Sequence, residues 1–226
     1  MKKRTLINLV LIAVIIFCGY KLTSKLYAYK KSENTIVKVQ SMKSSADDSL
    51  SSQNEDFRFW MNINNTKIDY PVLQGKDNDF YLKHDFFKKE SISGSIFLDY
   101  RVNSESKNSI IYGHNMRNGS MFKDIELFKN KEFFNNNKFI KINKDGKEYL
   151  YKVFSVYYIS GENTDYLKTN FDSDADFAKY LDNVKSKSLF NNDEKLSLND
   201  ILTLSTCSYE GENFRTVVHA QLIEEK

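Results

Sequence analysis

The sequence predicts a mainly β domain, built as a barrel or a sandwich with helical insertions, behind an N-terminal helix that enters a membrane. Three observations support this prediction. An apolar segment opens the chain, and a polar, Ser-rich stretch follows it. Short segments rich in Val, Ile, Tyr and Phe then alternate with clusters of Asn, Asp, Gly and Lys. The 226 residues leave room for one sizeable domain with appendages.

The composition excludes several classes of protein. Aromatic residues make up 14% of the chain, which argues against general disorder. The 33 basic and 30 acidic residues give a net charge of only +3, so we expect no nucleic-acid partner bound through bulk charge. The single Pro and eight Gly exclude collagen-like and Pro-rich architectures. Two cysteines cannot form a disulfide-rich scaffold, and they lack the clustering of a zinc site.

The apolar segment Leu6–Tyr20 follows three basic residues at the start of the chain. Extended to residues 5–22, a helix would reach roughly 27 Å, against a hydrocarbon core of roughly 30 Å. Lys21 and Lys25 can extend their ammonium groups to the membrane interface. An uncleaved anchor is favoured over a cleaved signal peptide, because no convincing small-x-small site follows the segment. We therefore expect residues 1–26 to anchor the protein in the cell membrane by a single pass, with the rest outside the cytoplasm.

The remainder divides into a tether and a folded domain. Residues 27–55 are predicted to form a tether, because they are polar and Ser-rich. Part of the tether is expected to be helical, because Ile36, Val37 and Val39 offer some apolar surface. The folded domain is expected at residues 56–226. Seven candidate strands share β-branched and aromatic residues between turn clusters: Thr66–Leu73, Ser95–Leu98, Ser109–Tyr112, Phe139–Asn143, Tyr149–Ile159, Ile201–Thr206 and Phe214–Ile223.

Two segments between these strands are predicted to be helical. Met121–Phe128 is short, whereas Asp174–Phe190 carries a clear apolar stripe. The stripe consists of Phe177, Tyr180, Leu181 and Val184. Ser173 is predicted to be the N-cap of this second helix, with Asp176 three residues later.

Cys207 is the one cysteine of the predicted domain, because Cys18 lies inside the apolar segment. A structural disulfide within the chain is therefore excluded, and Cys207 is buried and inert, an intermolecular partner, or a working thiol. It ends a predicted strand, and a polar loop follows it, so its side chain can meet a substrate. A nucleophilic thiol also needs a base or a cationic neighbour, because the pKa of a free thiol is about 8.5.

Three histidines are candidates for that base. His84 lies in a mixed polar stretch and is expected at the surface. His114 follows an apolar strand at its exit into a loop, and His219 lies within the last strand, where period-two alternation puts it on one face with Arg215. From spacing alone both His114 and His219 stay open as the base, and a hydrogen-bonded structural His is the alternative for either. Arg215 is either a surface charge or a partly buried functional residue.

Three segments resemble the motifs of sortases. Thr203-Leu204-Ser205-Thr206-Cys207 resembles the sortase signature Thr-Leu-x-Thr-Cys. Phe214-Arg215-Thr216-Val217-Val218 resembles the next strand, which carries the sortase arginine, and Tyr112-Gly113-His114-Asn115 resembles the histidine motif, in the same order and spacing. The segments Thr66–Gly75 and Gly94–Arg101, together with the long predicted helix, resemble class B sortases. The resemblance covers about Asp56 to Ile223.

The resemblance implies a closed eight-stranded sortase-type β-barrel with an N-terminal helical segment, a transmembrane anchor and a long helix between the late strands. It implies a membrane-anchored cysteine transpeptidase of Gram-positive bacteria. The implied substrates are secreted proteins with a C-terminal sorting motif of the Asn/Leu-Pro-x-Thr-Gly/Asn kind, and the acceptor is an amino group of a peptidoglycan precursor. No metal or organic cofactor is implied.

The resemblance also implies roles for particular residues. The catalytic roles fall on Cys207, His114 and Arg215, which leaves a structural role for His219. The positions that match substrate contacts are Asn78, Tyr112, Tyr166, Leu167, Ser205 and Thr206. Two alternatives stay open: a plain cysteine endopeptidase that uses water as the acceptor, and a non-catalytic surface module used for adhesion.

Overall fold

The computed structural model describes residues 2–43, 47–191, 195–208 and 210–226, so Ser44 and Ser45 of the predicted tether lie outside the described residues. Its helices are α1 (Lys2–Gln40), α2 (Asp47–Gln53), α3 (Phe80–Lys83), α4 (Lys131–Asn136) and α5 (Asp174–Ser186), with 3₁₀ segments at Lys123–Lys129 and Asp165–Leu167. Its strands are β1 (Phe57–Ile63), β2 (Asp69–Leu73), β3 (Ile96–Leu98), β4 (Asn108–Tyr112), β5 (Phe139–Lys144), β6 (Lys147–Ser160), β7 (Ile201–Cys207) and β8 (Phe214–Glu225).

The strands close into one barrel in the order β1-β2-β3-β4-β7-β8-β6-β5, which confirms the closed eight-stranded barrel implied above. Neighbouring strands are antiparallel, except that β2 pairs with β3 and β4 pairs with β7 in parallel. Because parallel strands end on the same side of a sheet, the residues that follow β4 and those that end β7 come together at one edge of the barrel.

Apolar side chains fill the barrel and form a second layer outside it. The interior cluster includes Met61, Ile111, Val156, Leu204 and Val218. Full burial of such a side chain contributes roughly 1.5–3 kcal/mol to stability. Outside β6 and β8, α5 packs a second cluster that includes Phe154, Phe177, Leu181, Val184 and Val217. Both faces of β7 are therefore covered, and every residue of the strand before Cys207 is buried.

Helix α5 begins where the sequence predicts and ends earlier. The Ser173 side chain accepts a hydrogen bond from the Asp176 main-chain N at 3.2 Å, which confirms the predicted N-cap. The predicted end at Phe190 is wrong. The Leu189 main-chain N donates to the Val156 carbonyl at 2.8 Å, so the chain leaves the helix to run beside β6.

The sequence did not predict strand β1. Three consecutive residues, Phe59 to Met61, are all buried, because the outer face of β1 packs on the region of α2 and α3 while the inner face fills the barrel. The segment therefore lacks the period-two pattern by which a strand is recognised. The predicted strand Thr66–Leu73 begins only at Asp69, because the Thr66 hydroxyl donates to the Ile63 carbonyl at 2.7 Å and forms a turn.

The helix predicted at Met121–Phe128 is a 3₁₀ helix over Lys123–Lys129. Helix α4, which the sequence did not predict, follows it directly. The Asn130 side chain accepts a hydrogen bond from the Phe133 main-chain N and so caps α4. The chain thus carries two short helical pieces between β4 and β5.

Helix α1 continues across the boundary predicted at residue 26. Its N-terminal part is exposed, and the helix is long and apolar enough to cross a membrane by length and composition. Its C-terminal part lies on the barrel, where Val39 is buried and Ile36 packs on the interior cluster. The Gln40 amide donates to the Asp69 carbonyl at 3.0 Å. The division into anchor, tether and domain stays a prediction.

Candidate active site

The ends of β4 and β7 are joined at one edge of the barrel. Tyr112 lies opposite Ser205 in parallel register. The Thr206 hydroxyl is buried and donates to the carbonyl of Gly113 at 2.7 Å, so it serves to join the two strands. A substrate contact of Thr206 stays a prediction that this geometry does not favour. His114 follows Gly113 directly and is therefore held beside the end of β7.

Cys207 ends β7 with an exposed side chain. Its main chain is fixed from two sides. The Asn115 amide donates to the Cys207 carbonyl at 2.8 Å, and Cys207 lies opposite Arg215 in the β7–β8 ladder. An accessible thiol on a fixed main chain is the arrangement that a nucleophile requires.

His114 is oriented by a main-chain carbonyl. Its Nε2 lies 2.8 Å from the carbonyl oxygen of Leu82 in α3. Because a carbonyl only accepts, Nε2 carries a hydrogen, and Nδ1 is the nitrogen left for proton transfer. The preceding residue must be small, since a Cβ on Gly113 would lie 2.4 Å from Ile96 Cδ1 and 2.8 Å from Phe122 Cγ.

Arg215 stands opposite the thiol at the start of β8 and is half-buried. Its Nη1 donates to the Phe214 carbonyl at 3.1 Å, which uses one of the five N–H donors of a guanidinium. The other donors form a planar, permanently charged set. Such a set is suited to a carbonyl oxygen that becomes an oxyanion.

Tyr166, Leu167 and Ser205 form one side of the same edge. The Tyr166 hydroxyl is 3.2 Å from the Ser205 hydroxyl, and Tyr180 fixes the 3₁₀ segment by donating to the Tyr166 carbonyl at 2.8 Å. Burial raises the pKa of Tyr166, and its hydrogen bond with Ser205 opposes that shift. Leu167 packs against the α5 cluster. Since Ser205 shares a strand face with Cys207, these residues adjoin the thiol.

Asn78 and Tyr112 are joined by a residue to which the sequence assigned no role. The Asn78 amide and the Tyr112 hydroxyl both donate to Asp99 Oδ2, at 3.0 and 2.9 Å. Arg101 binds the same carboxylate through Nε and Nη2. The Asp-x-Arg spacing is a signal that could have suggested the pair. The role of Leu82 had no such signal, because any residue type supplies a carbonyl.

The other two histidines lie elsewhere. His219 is fully buried, with Tyr157 Oη 2.9 Å from its Nε2 and Thr203 Oγ1 2.8 Å from its Nδ1. Burial lowers the pKa of His219 to about 3. His84 is partly exposed; its Nδ1 is 2.7 Å from the Phe80 carbonyl oxygen, and its ring stacks on that of Phe80.

The barrel edge thus holds an exposed thiol, an imidazole with one anchored nitrogen, and a guanidinium. These three groups can carry out acyl transfer through a covalent thioester, with acid–base help and stabilisation of an oxyanion. Within the described ranges, no three His, Cys, Asp or Glu side chains are grouped so that they could hold a metal ion.

Comparison with known proteins gives the family. A model described as a sortase domain matches residues 61–223. The chain therefore belongs to the sortase family, whose members are cysteine transpeptidases.

Its relatives are class B sortases, and its function is that of a class B sortase transpeptidase. Sortase B of Listeria monocytogenes is 35% identical over 237 residues, which cover 96% of this chain and 95% of that protein. The X-ray structure of Clostridium perfringens sortase B is 45% identical, with a TM-score of 0.77, over 79% of this chain and 100% of that one. The substrate complex of Staphylococcus aureus sortase B is 32% identical, with a TM-score of 0.78, over 86% of this chain and 97% of that one.

Proposed function

We propose that this sortase cleaves a C-terminal sorting motif of the Asn/Leu-Pro-x-Thr-Gly/Asn kind in secreted proteins and transfers the cleaved protein to an amino group of a peptidoglycan precursor. The observation that carries the proposal is the exposed Cys207 thiol on the edge where His114 and Arg215 also lie. The Staphylococcus aureus relative is known with a substrate bound, which supports peptide recognition by this fold.

In the first half-reaction, the Cys207 thiolate attacks the carbonyl carbon of the motif Thr. A C–S bond forms, and the oxygen becomes an oxyanion that accepts hydrogen bonds from Arg215. The C–N bond then breaks, and the protonated His114 gives the proton on Nδ1 to the leaving amine. Leu82 remains hydrogen-bonded to Nε2 in both protonation states of the ring, so the imidazole keeps its orientation.

In the second half-reaction, the acceptor amine attacks the thioester. His114 Nδ1 takes a proton from the amine, the C–S bond breaks, and the Cys207 thiolate is regenerated as the new amide forms. The thioester stores the acyl group until the amine arrives, which is the advantage of covalent catalysis in a two-substrate transfer.

The N-terminal part of α1 is proposed to anchor the protein in the cell membrane by a single pass, with the barrel outside the cytoplasm. The length and apolar surface of the helix support the span. Secreted substrates and a peptidoglycan acceptor both require the barrel to lie outside. The C-terminal part of α1 packs on the barrel, so a continuous helix leads from the proposed anchor to the domain.

The test is a ligation assay with a fluorescent motif peptide and an added amine, either triglycine or diaminopimelate. Mass spectrometry should show the cleaved acyl fragment joined to the amine, and Cys207→Ala is the control. Hydrolysis without ligation would favour the plain endopeptidase. The absence of any cleavage over a small library of motif peptides would favour the adhesion module.

A further inference from the structure

Asp99 is a buried carboxylate that follows β3 and is held by hydrogen bonds from three residues. Arg101 donates to Oδ1 from its main-chain N and its Nε, each at 2.9 Å, and to Oδ2 from Nη2 at 2.7 Å. Asn78 and Tyr112 donate to Oδ2 at 3.0 and 2.9 Å. The Asp99 side chain is 0% exposed. Because an unpaired buried charge is costly, the carboxylate depends on these donors.

The same hydrogen bonds keep Asp99 ionised. Burial alone would raise the pKa of its carboxyl, but the hydrogen bonds from Arg101, Tyr112 and Asn78 outweigh burial and lower the pKa. An ionised carboxylate only accepts hydrogen bonds, so the one hydroxyl proton of Tyr112 points at Asp99. Burial and the negative charge of Asp99 together raise the pKa of Tyr112, so that hydroxyl keeps its proton at neutral pH.

The carboxylate thereby fixes the direction of two polar groups. With its proton directed at Asp99, the Tyr112 oxygen offers lone pairs to any further partner. Asn78 gives one amide hydrogen to Asp99, and its Oδ1 accepts from the main-chain N of Tyr100 at 3.1 Å. The amide orientation is thus set, and the second amide hydrogen is the donor that Asn78 can offer to a ligand.

This pair adjoins the proposed peptide-binding edge. Tyr112 lies opposite Ser205, and Ser205 shares a strand face with Cys207. Arg101 lines, together with Leu167, an open cavity of about 770 Å³. The buried carboxylate therefore lies behind Asn78 and Tyr112, two positions at which the substrate peptide is proposed to make contact, whereas the Arg101 side chain reaches the surface beside Leu167.

We propose that Asp99, clamped by Arg101, is a positioning residue of the transpeptidation, which sets Tyr112 as an acceptor and Asn78 as a donor toward the substrate peptide. The inference rests on the proposed function. A peptide unit or a carboxamide side chain carries both an N–H and a C=O, so it is the chemistry complementary to this pair. Asp99 does not touch the reacting atoms, and its loss acts on peptide recognition rather than on the thiol.

Asp99→Asn is the sharpest test, because it keeps the shape of the side chain but replaces one acceptor oxygen with a donor. We expect kcat/KM for cleavage of a motif peptide to fall about 10-fold, through a raised KM. The rate at which iodoacetamide alkylates Cys207 should not change. Tyr112→Phe removes only the hydroxyl that Asp99 orients. In a double-mutant cycle, Asp99→Asn should therefore cost less in the Tyr112→Phe background than in the wild type.

An alkylation rate that falls in parallel with cleavage would show a general structural role and overturn the proposal, as would an unchanged KM or strictly additive effects. If Asp99→Asn does not fold, Arg101→Lys is the second test. The Arg101 side chain is 41% exposed, so the fold should tolerate the change. Lysine replaces the two-point contact of the guanidinium with a single ammonium group. A raised KM with unchanged alkylation then supports the proposal, and a wild-type KM overturns it.

The two proposals fail in different ways. Cleavage by the wild type without transfer to an added amine contradicts the proposed function and leaves Asp99 to be judged by its KM effect. Equal cleavage by the wild type and the variants contradicts the role of Asp99 alone. The absence of cleavage by the wild type contradicts both.

Discussion

Strands β7 and β8 carry two polar pairs that differ in what surrounds them. In the middle of the strands, Thr203 lies opposite His219 and both are fully buried. The Thr203 hydroxyl donates to Asn108 Oδ1 at 2.7 Å, so it accepts from Nδ1 of His219, and Nε2 accepts from the Tyr157 hydroxyl. Both ring nitrogens of that histidine are therefore occupied, and the neutral tautomer with hydrogen on Nδ1 is fixed.

At the end of the same strands, Cys207 lies opposite Arg215, with the thiol exposed and the guanidinium half-buried. Water can satisfy polar groups here, so they need no permanent partner inside the protein. A buried polar group without a partner costs free energy, which is why the middle pair is fully hydrogen-bonded. A change at the strand ends should therefore alter the rate of the reaction, whereas a change in the middle should alter the stability of the fold.

The largest effect is expected for Cys207→Ala. Without the thiol no thioester can form, so peptide cleavage should be abolished. An exposed side chain at a strand end contributes little packing, and the thermal unfolding midpoint should stay close to the wild type. Steady-state peptide cleavage and thermal unfolding followed by circular dichroism measure the two quantities. Appreciable cleavage by the folded variant would contradict the covalent mechanism.

His114→Ala should lower kcat by about 10²–10⁴-fold, because general acid–base help is lost. His219→Ala is the matched control, because it removes the histidine of β8 that lies away from the thiol. It removes a fully buried ring and should lower the unfolding midpoint, while the fraction that stays folded keeps far more activity. The measurement is kcat per folded molecule for both variants. An equal or larger loss of kcat at His219 would mean that the wrong histidine is assigned.

The next largest effect is expected at Arg215, where the direction of the guanidinium donors matters as well as their charge. Arg215→Ala should cost at least about 10²–10³-fold in rate, as is common when an oxyanion donor is removed. Arg215→Lys keeps the positive charge but loses the planar set of donors, so it should recover only a small part of that loss. Peptide cleavage by both variants, with circular dichroism to confirm folding, tests this. A near-wild-type rate for the Lys variant would show that charge alone suffices.

The strand pattern alone predicted a barrel or a sandwich, and the resemblance to sortase motifs implied the closed barrel and the three candidate catalytic positions. Spacing alone could not separate His114 from His219, since both follow or lie within apolar strands. The resemblance favoured His114, and the full burial of His219 in the folded chain agrees with that choice. Leu82 acts through its main-chain carbonyl, which every residue type has, so its side chain gives no signal for this role.

The role of Asp99 also escaped the sequence, for a different reason. Its neighbours Asn78 and Tyr112 come from segments that only the barrel brings together. Period-two reasoning failed at β1, where burial on both faces of the strand hides the alternation. In these cases the missing information was tertiary: it arose from contacts between distant segments and not from any local pattern.

The smallest effect is expected in the pH dependence of stability, through His219. The pKa of His219 is lowered by burial to about 3, and an unfolded histidine has a pKa near 6.5. Between these values the unfolded chain binds more protons than the folded one, so the stability that His219 contributes is fully present above pH 6.5 and is lost as pH falls. From pH 7.5 to pH 5 this amounts to about 2 kcal/mol, or about 30-fold in the unfolding equilibrium.

His219→Gln is the matched control for this titration, because glutamine keeps one donor and one acceptor but does not titrate. Urea unfolding of both proteins at pH 7.5 and pH 5 gives the change in unfolding free energy for each. All the other residues are the same in both proteins, so their contributions cancel in the difference. The wild type should lose about 2 kcal/mol more than the variant. Equal losses would show that the buried histidine does not resist protonation, and the contrast between the middle and the ends of the two strands would then rest on the rate measurements alone.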